Sequence, residues 1–297
     1  MLYNNLSGYL RKKYGKRLKK ICIDAGFSCP NRDGKVSTGG CIFCGERGAG
    51  EHIDAKCSIR EQVTAALAEA REDEEFIAYF QNFTNTYADI KTLKERYDAA
   101  LISDRIRIMS IGTRPDCITE EIAALLESYK ARCEVWVELG LQTANDETAK
   151  LINRGYTREC FEEAISILER HGIKTVVHLI IGLPGESLSD VKETSEYLSH
   201  FKLFGVKIHS IYVMRGTKLE NLYLQGSYIP PTLEEYAEGA AYVISRLSPD
   251  VIVHRLTGDC PIGLLVSPEW NRDKHAVIKK IEERLSESGK RQGSDFT

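Results

Sequence analysis

The sequence lacks an apolar run long enough to cross a bilayer. Its longest apolar stretch, residues 175–184, is short and is interrupted by His178. The beginning of the chain carries charged residues and no apolar segment of the signal-peptide type. We therefore expect a cytoplasmic protein without a membrane partner.

A large net charge is also missing, because 40 Lys and Arg residues nearly balance 43 Asp and Glu residues, for a net charge of −3. This balance excludes a general attraction to nucleic acid, so any RNA contact must come from a local patch. One candidate is residues 11–20, in which seven of ten side chains are basic. This basic run fits an RNA-backbone patch and a solvated cationic face equally well.

Low-complexity segments, fixed-period repeats and an obvious linker are absent as well. Apolar, β-branched runs alternate with amphipathic stretches, and several runs are apolar on both faces, as in a parallel sheet covered by helices. The predicted strands are residues 20–24, 77–83, 106–111, 135–141, 175–181, 206–213 and 251–254. Because parallel strands need right-handed crossovers, the predicted fold class is α/β, either a partial or full TIM-like (β/α) barrel or a doubly wound sheet.

This pattern predicts three parts of the chain. Residues 1–18 form a basic N-terminal segment, residues 19–250 form the (β/α) core, and residues 251–297 form a short C-terminal extension. We expect that extension to contain a strand, a helix and a polar tail packed on the core. Capping-box spacing predicts three helix starts, at Ser58 with Glu61, Ser187 with Asp190, and Thr232 with Glu235.

Polar clusters follow the predicted strands one after another. They comprise the cysteine-containing loop after the first strand and residues 81–87, 112–116, 142–143, 182–186, 215–217 and 255–259. In α/β folds the carboxyl ends of parallel strands meet at one edge of the sheet, and ligands bind there. The joint placement of these clusters predicts an active site at one mouth of a barrel.

Nine cysteines is a generous number for a chain expected in a reducing compartment, where cysteines serve metals or catalysis more often than disulfides. Cys29, Cys41 and Cys44 lie close together in a glycine-rich segment, with a C-x-x-C pair at its end. Iron–sulfur clusters are commonly held by such a pair and a further cysteine on a loop. Three thiolates for the four irons of a [4Fe–4S] cluster leave one iron open for chemistry.

A structural zinc site is the alternative for this loop, since zinc takes four nitrogen or sulfur ligands. Cys22, Cys57 or His52 could complete such a site. The sequence contains one C-x-x-C pair of this kind and no paired histidine motif, which favours the cluster.

Several motifs together resemble the radical S-adenosylmethionine superfamily. They are residues 24–34 (Asp-Ala-Gly-Phe-Ser-Cys-Pro-Asn-Arg-Asp-Gly), 84–87 (Thr-Asn-Thr-Tyr), 112–116 (Gly-Thr-Arg-Pro-Asp), 178–186 (His-Leu-Ile-Ile-Gly-Leu-Pro-Gly-Glu) and 254–259 (His-Arg-Leu-Thr-Gly-Asp). The long gap between Cys29 and Cys41 resembles the branch that contains the radical domain of the elongator catalytic subunit. Within that branch, the chain is similar to a small group of enzymes that modify the wobble uridine of tRNA. The similarity extends over about residues 3–281.

The resemblance implies that Cys29, Cys41 and Cys44 bind three irons, and that the amino and carboxylate groups of S-adenosylmethionine chelate the fourth. It implies S-adenosylmethionine contacts from Phe43, Gln81, Thr84, Asn85, Glu138, Gln142, Arg154, Ile181 and Gly182. The chain departs from the family pattern after the second strand, where the usual Gly-Gly-Glu is missing. The residues alone also allow Gly182 to be a tight turn and Glu138 to pair with a neighbouring Lys or Arg.

The resemblance also implies reductive cleavage of S-adenosylmethionine to a 5′-deoxyadenosyl radical, with electrons from a flavodoxin or ferredoxin. The expected substrate is the C5 side chain of the tRNA wobble uridine, trimmed from carboxymethylaminomethyl to aminomethyl. Candidate substrate contacts are Arg114, Asp116, His178, Tyr212, Arg215, Arg255 and Asp259. A radical enzyme of small-molecule metabolism and a zinc-containing RNA-binding module are the alternatives.

Overall fold

The computed structural model describes residues 2–48, 57–261 and 263–296. Seven strands form its main sheet: β1 (Lys19–Ile23), β2 (Phe76–Phe80), β3 (Ile106–Thr113), β4 (Glu134–Gln142), β5 (Lys174–Ile181), β6 (Gly205–Ser210) and β8 (Ile252–Arg255). They are all parallel, in the order β1-β2-β3-β4-β5-β6-β8. The sheet curls into a half-barrel, with β1 and β8 as its two edges. The α/β prediction is confirmed as a partial barrel, because the strand order runs in sequence without the reversal of a doubly wound sheet.

Ten α-helices are found in the described part of the chain. They are α1 (Leu6–Tyr14), α2 (Ile59–Ala68), α3 (Ile90–Ala100), α4 (Glu120–Ser128), α5 (Asp146–Leu151), α6 (Arg158–Arg170), α7 (Leu188–Ser199), α8 (Lys218–Leu224), α9 (Leu233–Arg246) and α10 (Lys274–Glu287). The capping boxes predicted at Ser58, Ser187 and Thr232 are present at the starts of α2, α7 and α9. No helix in this part of the chain is both long and apolar enough to span a membrane.

Period-2 alternation in each strand separates two environments. In β4, the side chains of Val135, Val137, Leu139 and Leu141 belong to the large apolar core between sheet and helices. Trp136 belongs to a different apolar cluster, inside the curl of the sheet, and Glu138 continues on that inner face. Every strand therefore presents one row of side chains to the concave interior, where a ligand can reach them.

Helix α1 closes the amino end of this interior. Leu10 packs with Trp136 in the inner apolar cluster, and the hydroxyls of Tyr9 and Tyr14 donate to Glu134 at the start of β4, at 2.8 and 2.7 Å. Lys13 also pairs with Glu134. The basic run at residues 11–20 therefore begins at the end of the barrel opposite to the carboxyl ends of the strands, and its α1 portion is not part of the predicted mouth.

The predicted sixth strand, residues 206–213, is wrong at its end. β6 stops at Ser210, and β7 (Val213–Met214) leaves the barrel to pair antiparallel with β9 (Leu265–Ser267). The second predicted strand, residues 77–83, ends early at Phe80, and the chain then turns, with Phe83 at a φ of 57°. In neither segment can an apolar pattern alone show where hydrogen bonding to the neighbouring strand ends.

The C-terminal residues pack on the core. Helix α10 lies against α9, and the polar segment after it is fixed by the side-chain amide of Gln292, which donates to Val251 O at 2.7 Å. The backbone N–H of Asp295 donates to Ser245 O at 2.9 Å. β8, the strand of this region, is an edge of the barrel itself.

Candidate active site

The cysteine loop follows the carboxyl end of β1 and is held against the segment between α5 and α6. The backbone N–H of Ile42 donates to Ile152 O at 3.1 Å. The side-chain amide of Asn31 donates to Asn153 O at 2.5 Å, and that of Asn153 donates to Gly40 O at 2.8 Å. Two reciprocal asparagine contacts therefore fix the loop that carries all three candidate thiols.

Asn31 and Asn153 were not identified from the sequence. Asn153 adopts a φ of 55°, a conformation that asparagine tolerates better than most residues with a Cβ. The pairing of Asn153 with a loop more than 100 residues earlier is a tertiary contact that no local pattern records. The only available signal was the turn chemistry of Asn153 followed closely by Gly155.

The thiols of Cys41 and Cys44 are close enough to shift each other's pKa, raising that of Cys41 and lowering that of Cys44. The neighbouring Cys41 lowers the pKa of Cys44, and the charge of the nearby Arg32 acts in the same direction against the effect of burial. The amide of Asn31 lies 3.7 Å from Cys41 Sγ, within hydrogen-bond reach of sulfur. Because the thiolate is the metal-binding form, the lowered pKa of Cys44 suits this residue to metal ligation.

The chemistry of this donor set fits a cluster. Among the residues that the structure describes, no three His, Cys, Asp or Glu side chains converge closely enough to hold one metal ion. Cysteine thiolates are the usual ligands of iron–sulfur clusters, and the loop provides three of them. Of the residues considered for zinc, Cys57 is exposed, Cys22 lies on β1, and His52 lies outside the described residues.

Unpartnered polar atoms line the region where β2 ends beside the cysteine loop. Thr84 is tied to the loop by its backbone N–H, which donates to Ser28 O at 3.2 Å. The side-chain oxygens of Asn31, Asn82, Thr84 and Asn85 are buried and have no hydrogen-bond partner in the described part of the chain. Buried polar atoms normally have partners, so this cluster fits a polar ligand such as S-adenosylmethionine. Gln81, the other candidate here, is partly buried.

Asn85 has a second role, in positioning the strand ends. Its side-chain amide donates to the carbonyls of Phe80, Asn82 and Gly112, at 3.2, 3.0 and 2.8 Å. Its own carbonyl accepts a hydrogen bond from the Tyr97 hydroxyl at 2.6 Å. Only the oxygen of its side chain is left to meet a ligand.

Glu138 lies in the concave interior and is paired with protein groups, as the alternative interpretation from the sequence allowed. Its Oε1 accepts from the Ser110 hydroxyl at 2.8 Å, and its Oε2 accepts from Lys207 and lies 2.9 Å from His178 Nε2. Burial acts to raise the pKa of Glu138, but Lys207 and His178 outweigh it and hold the pKa well below its usual range. Glu138 is therefore a counter-charge, and both of its oxygens are occupied without S-adenosylmethionine.

Lys207 was missed from the sequence, although a charged residue within an otherwise apolar strand is itself a signal. Its side chain is about 1% exposed. Burial lowers the pKa of Lys207 to about 7, against the attraction of Glu138. Burial and the charge of Lys207 also lower the pKa of His178 to about 4, so this imidazole is neutral at physiological pH.

Arg154 does not point to a ligand, which corrects the role that the resemblance implied for it. It is fully buried, and its five N–H groups are used by Leu141 O, Thr143 O, Asp146 and twice by Tyr156 O, at 2.7 to 3.1 Å. The guanidinium fixes the end of β4 instead. Gln142, the last residue of β4, is partly buried at a φ of 68° and remains a candidate.

Arg114 and Asp116 bind each other through two hydrogen bonds, of 2.8 and 2.6 Å. Arg114 also donates to Arg154 O at 2.9 Å, and it is only 8% exposed. These contacts commit most of its donors to the protein. The pair supports the chain beside the cysteine loop and does not offer a free charge to a substrate.

Ile181 faces away from the mouth. It belongs to the core between sheet and helices, and a methyl group added to Gly239 of α9 would lie 3.4 Å from its Cγ2. The neighbouring Ile180 packs instead with the cluster that contains Ile42 and Phe43 of the cysteine loop. Because side chains alternate along a strand, Ile180 takes the position that was predicted for Ile181.

Gly182 is required by backbone geometry. Its φ is 94°, and a Cβ there would lie 2.6 Å from Pro231 and 2.7 Å from Ile211. Its carbonyl accepts a hydrogen bond from the Tyr228 hydroxyl at 2.7 Å. The tight-turn interpretation of this glycine therefore explains it without a ligand.

The remaining candidates for substrate contact divide into two groups. His178 and Arg255 lie in the interior. Burial raises the pKa of Tyr212, and the nearby Cys44 and Asp259 raise it further, so Tyr212 and Asp259 lie close to the cysteine loop. Arg215 is exposed on the segment that follows β7, outside the barrel strands. The structure thus gathers four of these five residues around the mouth and its interior and leaves Arg215 at the periphery.

The chain is similar to several known proteins. The sequence profile of the Radical SAM superfamily matches residues 33–198, and that of the Radical SAM C-terminal domain matches residues 204–287. The protein YtqA of Bacillus subtilis (strain 168) is 36% identical over 298 residues, covering 99% of this chain and 92% of YtqA. The tRNA uridine(34) acetyltransferase of Methanocaldococcus jannaschii is 34% identical over 180 residues, covering 59% of this chain and 32% of that protein.

A solved structure shows the same fold. Elp3 of Methanocaldococcus infernus, with a deletion at its N-terminus, superimposes with a TM-score of 0.66 at 23% identity. The match covers 79% of this chain and 59% of the Elp3 chain.

Proposed function

The chain belongs to the radical S-adenosylmethionine superfamily, whose members bind a [4Fe–4S] cluster and S-adenosylmethionine, and from this premise we propose that it modifies the wobble uridine of tRNA. The proposed reaction converts 5-carboxymethylaminomethyluridine to 5-aminomethyluridine. The observation that carries the proposal is a cysteine loop at the carboxyl end of β1, next to an interior in which three cations meet two carboxylates. These charges are Lys20, Lys207 and Arg255 against Glu138 and Asp259, an excess that suits an anionic substituent. The choice of tRNA as the substrate is supported by the similarity to a tRNA uridine(34) acetyltransferase.

In this proposal Cys29, Cys41 and Cys44 hold the cluster. Asn31 and Asn153 orient the loop, and the unpartnered oxygens of Thr84 and Asn85 accept hydrogen bonds from S-adenosylmethionine. Ile180 and Phe43 supply an apolar surface beside the loop. When bound, the two cofactors supply an electron that cleaves the sulfonium and a carbon radical that abstracts a hydrogen atom.

The overall reaction balances with one S-adenosylmethionine and one water. The carbon between the side-chain nitrogen and the carboxylate loses one hydrogen atom and one electron, which leaves a C=N bond. Water adds to that bond, and the C–N bond breaks to give the primary amine and glyoxylate. The hydrogen atom and electron are matched by conversion of S-adenosylmethionine to methionine and 5′-deoxyadenosine.

The proposal that the substrate is a tRNA depends on the relatives of this chain. The name of the Methanocaldococcus jannaschii relative states that it acts on uridine 34 of tRNA, and the shared region covers 59% of this chain. The α1 portion of the basic run lies at the opposite end of the barrel from the cysteine loop, so an anticodon arm at the mouth must be held by other groups. Lys35 and Lys218, both exposed, and Arg32 are cations on or beside the cysteine loop.

The proposed electron donor is a flavodoxin or ferredoxin. Cleavage of a sulfonium requires a potential toward the low end of the range of iron–sulfur clusters, roughly −700 to +450 mV. Small flavin and iron–sulfur carriers supply electrons in that region.

The test uses the anaerobically reconstituted full chain with a chemical reductant, S-adenosylmethionine and an anticodon stem-loop that contains 5-carboxymethylaminomethyluridine. We expect aminomethyluridine, glyoxylate and 5′-deoxyadenosine in equal amounts by mass spectrometry of the digested RNA and the supernatant. Cys41→Ser should give none of the three, and Cys133→Ser, outside the loop, should give all of them.

Two results would contradict the proposal. Cleavage of S-adenosylmethionine that is unaffected by RNA, with unchanged uridine, would favour a small-molecule substrate instead. A colourless protein that binds zinc and RNA but no iron or sulfide would favour the RNA-binding alternative.

A further inference from the structure

Lys20 and Arg255 lie on the two edge strands of the half-barrel and both extend into its interior. Lys20, on β1, places its ammonium group 5.2 Å from the centre of the Tyr79 ring. Lys207, on β6, lies 4.5 Å from the centre of the same ring. Arg255, on β8, is the register partner of Lys207, because a bulge shifts the pairing past His254. Three cations from β1, β6 and β8 therefore lie in one part of the interior, and two of them lie beside the buried Tyr79.

The carboxylates of the described residues balance these charges only in part. Glu138 is one carboxylate of the interior, and its oxygens are already occupied by Ser110, His178 and Lys207. Asp259 lies 3.6 Å from Arg255 and is shared with Lys274, at 2.5 Å. Within the described ranges, Lys20 has no carboxylate within ion-pair distance. The interior thus carries more positive than negative charge.

Lys20 is enclosed by protein and yet accessible to solvent. Burial and the charge of Arg255 lower the pKa of Lys20, against the attraction of Glu138. Lys20 is nevertheless one of the exposed residues of β1. The thiol of Cys22 is near enough to Lys20 and Arg255 for both charges to oppose the effect of burial on its pKa. An anion entering the interior between these two cations would relieve their mutual repulsion and supply the counter-charge that Lys20 lacks.

We propose that Lys20 and Arg255 bind the carboxylate of the substituent on the modified uridine, and so select the carboxymethylaminomethyl form. This inference rests on the proposed function. In the arrangement that the resemblance implies, the carboxylate of S-adenosylmethionine would be held by the cluster at the cysteine loop and would not occupy this site. Trp136 and Leu10 close the amino end beneath, so the interior suits the free end of a side chain better than a backbone phosphate flanked by sugars.

The experiment compares two anticodon stem-loops that differ only in this charge, one with carboxymethylaminomethyluridine and one with its carboxamide. The holoenzyme with S-adenosylmethionine should bind the carboxylate RNA about tenfold more tightly by fluorescence anisotropy, a difference of one ion pair in a partly enclosed site. Lys20→Gln and Arg255→Gln should each lose most of this preference. Lys20→Arg, which keeps the charge, should retain it.

The matched control is Lys19→Gln. Lys19 is the neighbouring residue of β1, and its ammonium group pairs with Glu74 at 2.7 Å. This variant should keep the preference for the carboxylate RNA. Equal binding of the two RNAs by the unmodified protein would overturn the inference. A uniform loss of affinity for both RNAs in Lys20→Gln would also overturn it, because it would indicate a phosphate contact.

A second measurement separates this inference from the proposed function. Sarcosine contains the same N–CH₂–COO⁻ group, and sarcosinamide is its uncharged-carboxyl counterpart. Sarcosine should raise the unfolding temperature of the holoenzyme and of Lys19→Gln more than sarcosinamide does, and should lose this advantage in Lys20→Gln. If the RNA is neither bound nor converted but sarcosine behaves in this way, the carboxylate site stands and the RNA function fails. If sarcosine and sarcosinamide act alike on the unmodified protein, the carboxylate site fails.

Discussion

The ammonium group of Lys207 donates a hydrogen bond to Oε2 of Glu138, and each side chain is about 1% exposed. This pair joins β6 to β4 across the interior of the half-barrel. Burying two charges is costly, and the cost is offset only while both partners and their further hydrogen bonds are present. The pair therefore makes the interior sensitive to the loss of either residue.

Glu138→Gln should strongly destabilise the protein. The substitution leaves Lys207 buried without a counter-charge, a change that typically costs about 3–5 kcal/mol. We expect the free energy of unfolding in urea, followed by circular dichroism under anaerobic conditions, to fall by this order. The double variant Glu138→Gln with Lys207→Met should recover much of the loss, since it removes the orphaned charge. A double variant no more stable than the single one would show that the pair is not the cause.

Glu186 predicts a pH dependence of stability. Burial raises its pKa from 4.5 to about 7, so the folded protein holds this proton more tightly than the unfolded chain does. The carboxylic acid is protonated in both states below 4.5 and ionised in both above about 7. Stability should therefore fall as pH rises between these values, by up to about 1.4 kcal/mol per pH unit.

Glu186→Gln should remove this slope and make the protein more stable than the parent above pH 7. The measurement is urea unfolding at several pH values. Glu193→Gln, on the exposed face of α7, is the control and should keep the slope of the parent. An unchanged slope in Glu186→Gln would assign the pH dependence to other groups.

Ile180 and Ile181 should separate cofactor binding from stability. Ile181→Ala removes packing against α9 and should cost about 2–5 kcal/mol of unfolding free energy while leaving the affinity for S-adenosylmethionine nearly unchanged. Ile180→Ala should weaken S-adenosylmethionine binding by about tenfold, because it removes apolar surface beside the cysteine loop. Isothermal titration calorimetry and urea unfolding of both variants test this. The reverse pattern would restore the assignment made from the sequence.

The three cysteines predict a selective loss of iron. Cys29→Ser, Cys41→Ser or Cys44→Ser should each leave the reconstituted protein with little iron and sulfide and little brown absorbance, because each thiolate is expected to bind a different iron. Cys133→Ser and Cys160→Ser should reconstitute normally, since Cys133 directly precedes β4 and Cys160 lies on α6, outside the cysteine loop. Iron and sulfide analysis after anaerobic desalting gives the answer. Full iron content in all three loop variants would contradict the ligand assignment.

Local features of the sequence were sufficient for much of the fold. The capping boxes at Ser58, Ser187 and Thr232 are read from residues three positions apart, and all three helices begin there. The boundaries of the strands were predicted less accurately. The pairing of β6 with β5 ends after Ser210, and the hydropathy of one segment does not show where pairing with another strand ends.

Within the site, features formed by residues close together in the sequence could be identified, and contacts between distant residues could not. The cysteine loop is a local arrangement and could be identified directly. Arg154 could not, since its role depends on carbonyls at the end of β4 that only the folded chain brings to it. The side chain of Ile181 was expected on the inner face of the sheet but packs against the helices. Successive side chains of a strand point to opposite faces, so an error of one residue moves a side chain from the interior to the helix layer.

The sequence by itself determined the α/β class, three helix starts, the cysteine loop and the superfamily. Each of these depends on residues that are neighbours in the sequence or on short sequence motifs. Only the tertiary structure decided which charges meet. The pairing of Lys207 with Glu138, the engagement of every donor of Arg154 and the approach of Lys20 and Arg255 depend on the curl of the sheet. That curl brings residues of different strands into one concavity, where low solvent access makes their charges interact strongly.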